Sequence, residues 1–194
     1  MTKSNNTLII SIMGVDGSGK TTIAKNLNKR LKKSKYLHLK PYILFQDKRR
    51  IVRNPHLQKK SSSILSFLRI ISWLISYKIF FTSNKNLKIY IFDRYAHDIL
   101  IDPVRYNHNL SYNFTKFMLN FFPKPDLWVF LNPPLKTVKT RKLELSDKEL
   151  KRQTNSYSNL FRHKKNVLRF NTISPKKKMI LQIVKKVNKL SKKK

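Results

Sequence analysis

Residues Gly14 to Thr21, GVDGSGKT, contain all three glycines of this 194-residue chain. Glycine lets a backbone bend tightly and bring its N–H groups up to a ligand with no Cβ in the way. Gly14, Gly17 and Gly19 would give the loop that freedom around a phosphate. Lys20 would bring an ammonium to β- and γ-phosphates, and the Thr21 hydroxyl would offer a ligand to Mg2+. The spacing G-x-x-x-x-G-K-[ST] is that of a phosphate-binding loop. Gly14, Asp16, Gly17, Ser18, Gly19, Lys20, Thr21 and Thr22 together form the expected nucleotide-binding segment. The alternative, a turn that fits by chance, is weak in a chain with no other glycine.

Two further groups of residues carry chemistry. FDRYAHD, Phe92–Asp98, follows an apolar run. Asp93 would end a strand at the sheet edge where ligands bind in doubly wound folds. It could hold a metal-bound water or orient an attacking oxygen, and Arg94 could grip an acceptor phosphate with its fork of donors. A surface Asp–Arg pair closing the strand is the competing explanation. Farther on, Pro125-Asp126-Leu127 leads into LNPPLKTVKTRK, where Arg141 could stabilise charge developing on a transferring phosphoryl group. Arg152, on the next basic helix, is a second candidate of this kind. A solvated basic face accounts for both as well. The five histidines show no metal-ligand spacing; His97 lies beside the Asp93 group and suits a scaffold role.

These residues need a sheet to place them. TLIISIM (7–13) reads as a buried strand, and Ile23, Ala24, Leu27 and Leu31 recur at helical spacing after it, so the glycine loop joins a strand to a helix. YLHLKPY (36–42) is expected as a second strand, and 46–60 as a loop or short helix. The apolar run 61–82 contains Arg69 and Lys78, which disfavour a membrane span and favour a long helix capped by a serine triplet. LKIYIFD (87–93), DLWVFLN (126–132) and VLRFNTIS (167–174) are further strands. Phe114, Phe117, Met118, Phe121 and Phe122 suggest a helix ended by PKP, and Ser146-Asp-Lys-Glu149 is a capping box. A last helix follows Pro175, and its tail, 191–194, is expected to fray. Strands alternating with helices predict one α/β domain over 1–194, with a parallel sheet covered on both faces.

The formal charge is +34, from 43 Lys+Arg against 9 Asp+Glu. Such a surface attracts nucleic acid, anionic membranes or phosphorylated ligands. Compositional bias towards Lys, Asn, Ile and Phe explains the excess equally well, and no nucleic-acid reading motif is present. With no cysteine, disulfides and thiolate metal sites are excluded. The first apolar run continues straight into the glycine loop as a strand, so a cytoplasmic location is expected.

GVDGSGKTT (Gly14–Thr22), DRY (Asp93–Tyr95) and PDL…LNPP…R (Pro125–Arg141) resemble the thymidylate kinase family of P-loop kinases, with closest likeness to a bacterial thymidylate-kinase-like subgroup. The resemblance implies a five-stranded parallel sheet in the order 2-3-1-4-5. It implies ATP and Mg2+ as the donor complex, a small-molecule phosphate acceptor with dTMP as first candidate, and a homodimer. It places Asp16 near the acceptor sugar, Arg94 on the acceptor phosphate, Asp93 beside metal and nucleophile, Tyr95 against the sugar, and Arg141 on a flap of about 141–155 that closes over the phosphates. The chain departs from the family in acceptor regions. KPYILFQDKRR stands where an Arg-Glu-Pro-Gly-Gly segment is usual, and His97-Asp98 and Asp102-Pro103 replace the residues that normally follow DRY. A kinase for a non-nucleotide acceptor, or an ATP-binding module that attaches to nucleic acid or membrane, remains as the alternative expectation.

Overall fold

Leu8–Met13 (β1), Ile89–Asp93 (β3) and Leu127–Leu131 (β4) are buried at every position. Strands buried on both faces need helices on both sides, and this chain supplies them. The computed structural model describes residues 7–39, 61–83, 88–141, 146–171 and 175–192. Ser34–His38 (β2) and Val167–Phe170 (β5) complete a five-stranded sheet in the order β2-β3-β1-β4-β5. Every neighbouring pair is parallel. This is the parallel sheet, in the strand order, that the resemblance implied.

The helices are Lys20–Arg30 (α1), Ser63–Ser83 (α2), Tyr112–Leu119 (α3), Leu135–Arg141 (α4), Asp147–Phe161 (α5) and Lys176–Ser191 (α6), with a 3-10 turn at Ala96–Leu100. Alternation along β1 sends Ile10 and Ile12 into an aliphatic layer with Ile23, Leu27, Ile183 and Val187 of α1 and α6. Ile9 and Met13 point the other way, into a layer dominated by Trp73, Tyr77, Phe92, Trp128 and Phe161. Hence the loop after β1 leaves the most deeply buried strand of the sheet.

Several expectations are corrected. The second strand runs two residues earlier than expected and stops at His38. Leu39 adopts φ 58 and turns the chain away, while its N–H still donates to the Asp93 carbonyl at 2.9 Å. Positions 40–42, the segment 46–60 and the flap positions 142–145 lie outside the described residues. The α2 cap is confirmed in detail, with Ser62 Oγ accepting from the Leu65 N–H at 3.2 Å. Ile70, Trp73, Tyr77 and Phe80 pack inward, and Ile64, Leu65 and Leu68 stay exposed. Among the described residues α2 is the one helix long and apolar enough to cross a membrane, and here its inner face forms part of the aromatic layer. The phenylalanines expected on one helix divide: α3 ends at Leu119, with Phe121 and Phe122 in the turn after it. Thr115, Met118, Leu119 and Phe122 are buried, whereas Phe114, Phe117 and Phe121 are exposed.

Candidate functional site

The sheet's carboxyl edge gathers Met13, His38, Asp93 and Leu131, and the glycine loop crosses it. Gly14 and Gly19 are there for different physical reasons. Gly14 has φ +149, and a Cβ on it would lie 2.4 Å from the Leu131 carbonyl oxygen. Its lack of a side chain clears β4, not a ligand, which corrects the expectation that all three make room for phosphate. Gly19 has φ +89, and a Cβ there would meet nothing within 4 Å. Gly19 therefore faces open space at the helix N-terminus, where backbone N–H groups and the dipole favour an anion.

Lys20 opens α1 and is almost wholly buried, with Nζ donating to the Val15 carbonyl at 2.7 Å and 3.5 Å from Asp16 Oδ1. Burial pushes its pKa down to about 7, the Arg94 charge adds to this, and Asp16, Asp98 and Asp93 oppose it. An anion arriving beside it would restore its charge. Thr21 Oγ1 donates to Asp93 Oδ2 at 2.6 Å, and the Tyr36 hydroxyl donates to the same oxygen at 3.1 Å. His38 Nδ1 stands 3.6 Å from it. Burial works against the Asp93 carboxylate, but hydrogen bonds from His38 and Thr21, and the Lys20 charge, hold its pKa below the ordinary value. The other oxygen, Oδ1, is buried with no hydrogen-bond partner among the described residues.

That orphaned oxygen is a test of metal fit. Asp93 and Thr21 offer hard oxygen ligands side by side. No cluster of three or more acidic, histidine or cysteine side chains occurs among the described residues. A site with few protein ligands suits Mg2+, which keeps water and phosphate in most of its coordination positions.

Arg94 follows directly at φ +73, its N–H donating to the Ile12 carbonyl at 3.0 Å. Its Nη1 donates to Asp98 and its Nη2 to Asp16. Asp98, fully buried, also accepts from Tyr106 at 2.6 Å and from Tyr157 of α5. Burial disfavours the Arg94 charge, yet Asp98, Tyr106 and Asp16 outweigh it and keep the guanidinium firmly protonated. Burial likewise disfavours the Asp16 carboxylate, but Arg94, Lys20 and Arg105 hold its pKa far below the usual range. Arg105, whose Nη1 donates to Asp16 Oδ2, joins Arg141, Lys176 and His38 in lining a cavity of about 460 Å3 around the loop.

Of the residues singled out from sequence, Asp16, Gly17, Gly19, Lys20, Thr21, Thr22, Asp93, Arg94 and Arg141 meet at this cavity. Ser18 is buried beneath the loop, its Oγ within 2.9 Å of where a Gly14 Cβ would lie. Tyr95 is a correction: it is fully buried, donates to the Pro123 carbonyl at 2.5 Å, and packs edge-on against Tyr77 and Trp128. It belongs to the core and does not line the cavity. Arg152 is bound to Glu149 and the Ile101 carbonyl, away from the cavity. His97 stacks edge-on against Trp128, and burial pushes its pKa down to about 3, with Lys164 contributing, in keeping with a scaffold role. Arg105, Lys176 and His38 were missed. His38 carried a usable signal, since it lies at the carboxyl end of a strand, and Lys176 did as the first residue of the helix that follows the last strand.

The arrangement can bind a polyphosphate at the loop and a second anion at the arginines, in line with phosphoryl transfer. The sequence model of a family described as thymidylate kinase matches residues 12–193. No curated protein sequence matches the chain. Among solved structures, a deoxyadenosine kinase from M. mycoides with products dCMP and a flexible dCDP bound has a TM-score of 0.62 at 18% identity, covering 94% of this chain and 100% of that one. The same enzyme with bound dATP has a TM-score of 0.60 at 20% identity, covering 93% and 99%. The thymidylate kinase from Candida albicans has a TM-score of 0.61 at 20% identity, covering 96% and 94%. At these identities the structural likeness speaks for the fold.

Proposed function

The chain belongs to the thymidylate kinase family, and from that premise we propose that this nucleotide kinase moves the γ-phosphoryl group of ATP onto the phosphate of a deoxynucleoside monophosphate, with dTMP the first candidate. The observation that carries the proposal is Arg94, held by two carboxylates beside Lys20, Thr21 and Asp93 in one cavity. The loop N–H groups and Lys20 bind the donor's phosphates. Arg94 orients the acceptor. Thr21 and Asp93 would hold Mg2+, which when bound neutralises charge on the phosphates. Arg141, which lines the same cavity, adds a further cation. Catalysis is then positioning with electrostatic stabilisation, with no covalent protein intermediate.

The choice of base rests with the acceptor pocket, and the usual family segment for it is replaced by KPYILFQDKRR. The test is ADP release from ATP with a panel of dTMP, dCMP, dAMP and dGMP and the four matching deoxynucleosides. Turnover with one or more monophosphates is expected. Binding of Mg·ATP without turnover of any monophosphate would overturn the proposal.

A further inference from the structure

Arg105 and Lys176 line this cavity with no part in the scheme above, and Arg105 is the one bound to the carboxylate that also holds Arg94. It reaches the cavity from the segment after the 3-10 turn, and that segment is fixed on several sides. The Arg105 N–H donates to Asp102 Oδ1 at 3.2 Å, and Asp102 is buried. The adjacent Tyr106 hydroxyl is bound to Asp98, and the Tyr106 carbonyl accepts from Arg69 of α2 at 2.9 Å. Asn107 then turns the chain at φ 48. The guanidinium is therefore delivered from pinned backbone.

Its partner is informative. Asp16 divides its two oxygens, Oδ1 taking Arg94 and Oδ2 taking Arg105. One carboxylate thus holds two guanidiniums side by side that would otherwise repel. The two differ in access: the Arg94 side chain is 6% exposed and that of Arg105 is 25% exposed. Arg105 keeps donors facing the cavity while Arg94 is bound at both ends. Paired forks suit a tetrahedral dianion, which offers several oxygens to both at once. A neutral hydroxyl offers a single acceptor atom and gains little from a second cation.

We infer that Arg105 is a second arm of the acceptor-phosphate clamp, held in place by Asp16, and that it commits the site to phosphorylated acceptors over their dephosphorylated counterparts. This deepens the phosphoryl-transfer reading and rests on it. An oxygen of the acceptor phosphate forms the new bond to the γ-phosphorus. The bond from that phosphorus to the β–γ bridging oxygen breaks, and its electron pair leaves with ADP. A phosphate dianion has no proton to lose in this step, so a clamp of cations with no general base is sufficient.

The experiment compares wild type with Arg105→Gln and Arg105→Lys. It measures KM and kcat for the best monophosphate and its matching nucleoside, and donor affinity by displacement of a fluorescent ADP analogue. Losing charge-assisted hydrogen bonds of about 1.5–3 kcal/mol predicts a monophosphate KM raised roughly 10- to 150-fold in Arg105→Gln. Donor affinity should stay within about twofold, and Arg105→Lys should recover part of the loss because a point charge replaces the fork. An unchanged monophosphate KM in Arg105→Gln, or a wild-type enzyme at least as efficient on the nucleoside, overturns the inference. If wild type turns over no acceptor, calorimetry of the monophosphates and nucleosides still decides. Monophosphate binding lost in Arg105→Gln supports the clamp even as the kinase proposal falls, and no monophosphate binding by wild type overturns both.

Discussion

Alanine at Gly14 and alanine at Gly19 should damage the protein in opposite ways, although both glycines belong to one motif. At Gly19 the backbone is left-handed with φ 89 and ψ 15, and an added Cβ meets nothing within 4 Å. The expected stability loss is the left-handed penalty alone, about 1–2 kcal/mol. That methyl, however, projects into the space a phosphate must enter. At Gly14 the conformation is one that only glycine uses freely, with a penalty of about 1–3 kcal/mol. The Cβ would also lie 2.4 Å from the Leu131 carbonyl oxygen, so β4, a central strand, would have to shift. Such overpacking adds about 1–3 kcal/mol, for a total of roughly 2–6 kcal/mol. Against a typical domain stability of about 5–15 kcal/mol, Gly14→Ala approaches global unfolding while Gly19→Ala remains folded. Urea unfolding with and without Mg·ATP separates the two. Wild type should gain about 2.7 kcal/mol at a ligand concentration near 100 times Kd, and Gly19→Ala should gain nothing. Gly19→Ala binding nucleotide within threefold of wild type, or Gly14→Ala matching Gly19→Ala in stability, would refute the division of labour.

Three other outcomes are expected. Lys20, held at about 7, should become charged when polyphosphate binds, taking up most of a proton at pH 8 and little at pH 6. Affinity should therefore fall as pH rises above about 7, and calorimetry in buffers of different ionisation enthalpy reads the uptake directly; zero uptake at pH 8 counts against it. Tyr157→Phe removes one of the donors to buried Asp98 and should lower stability by about 1–3 kcal/mol. Asp98→Asn strips the buried charge from Arg94 and should lower it by about 3–5 kcal/mol, with wild-type urea midpoints in both variants as the contrary result.

The loop, the order of elements and Asp93-Arg94 were legible because each is encoded locally. A strand, three glycines and a helix follow one another, and an apolar run ends on an aspartate. What failed depended on contacts remote in sequence. Tyr95 sits next to Arg94, but its neighbours Tyr77, Pro123 and Trp128 come from three other elements, and they draw it into the core. Phe114, Phe117, Phe121 and Phe122 share an apolar character that does not reveal which of them α2 and the sheet will cover. Arg105 gave no signal among 43 basic residues, because its role is set by Asp16, 89 positions away. Outside the glycine loop, asparagine takes left-handed positions at Asn107, with φ 48, and Asn166, with φ 58. The left-handed backbone at Arg94 was invisible, since no sequence rule puts an arginine there.

Carboxylates carry more of the organisation than their number suggests. Of nine, Asp93, Asp98 and Asp102 are buried, and Asp16 is nearly so with a side-chain exposure of 13%. Each is tied to a group at the cavity: Asp93 to Thr21, Asp98 to Arg94, Asp102 to the Arg105 backbone, and Asp16 to both guanidiniums. In a chain of net charge +34, cations gathered by apolar packing alone would repel one another and splay apart. Carboxylates arrange them instead, and such bonds can be exchanged. An incoming phosphate competes with Asp16 for the same N–H donors, so acceptor affinity measures the difference between two anions. Asp16 therefore both builds the site and weakens its hold on the ligand. Its replacement by asparagine should loosen Arg105 while making Arg94 easier to recruit, an effect that no contact count would anticipate.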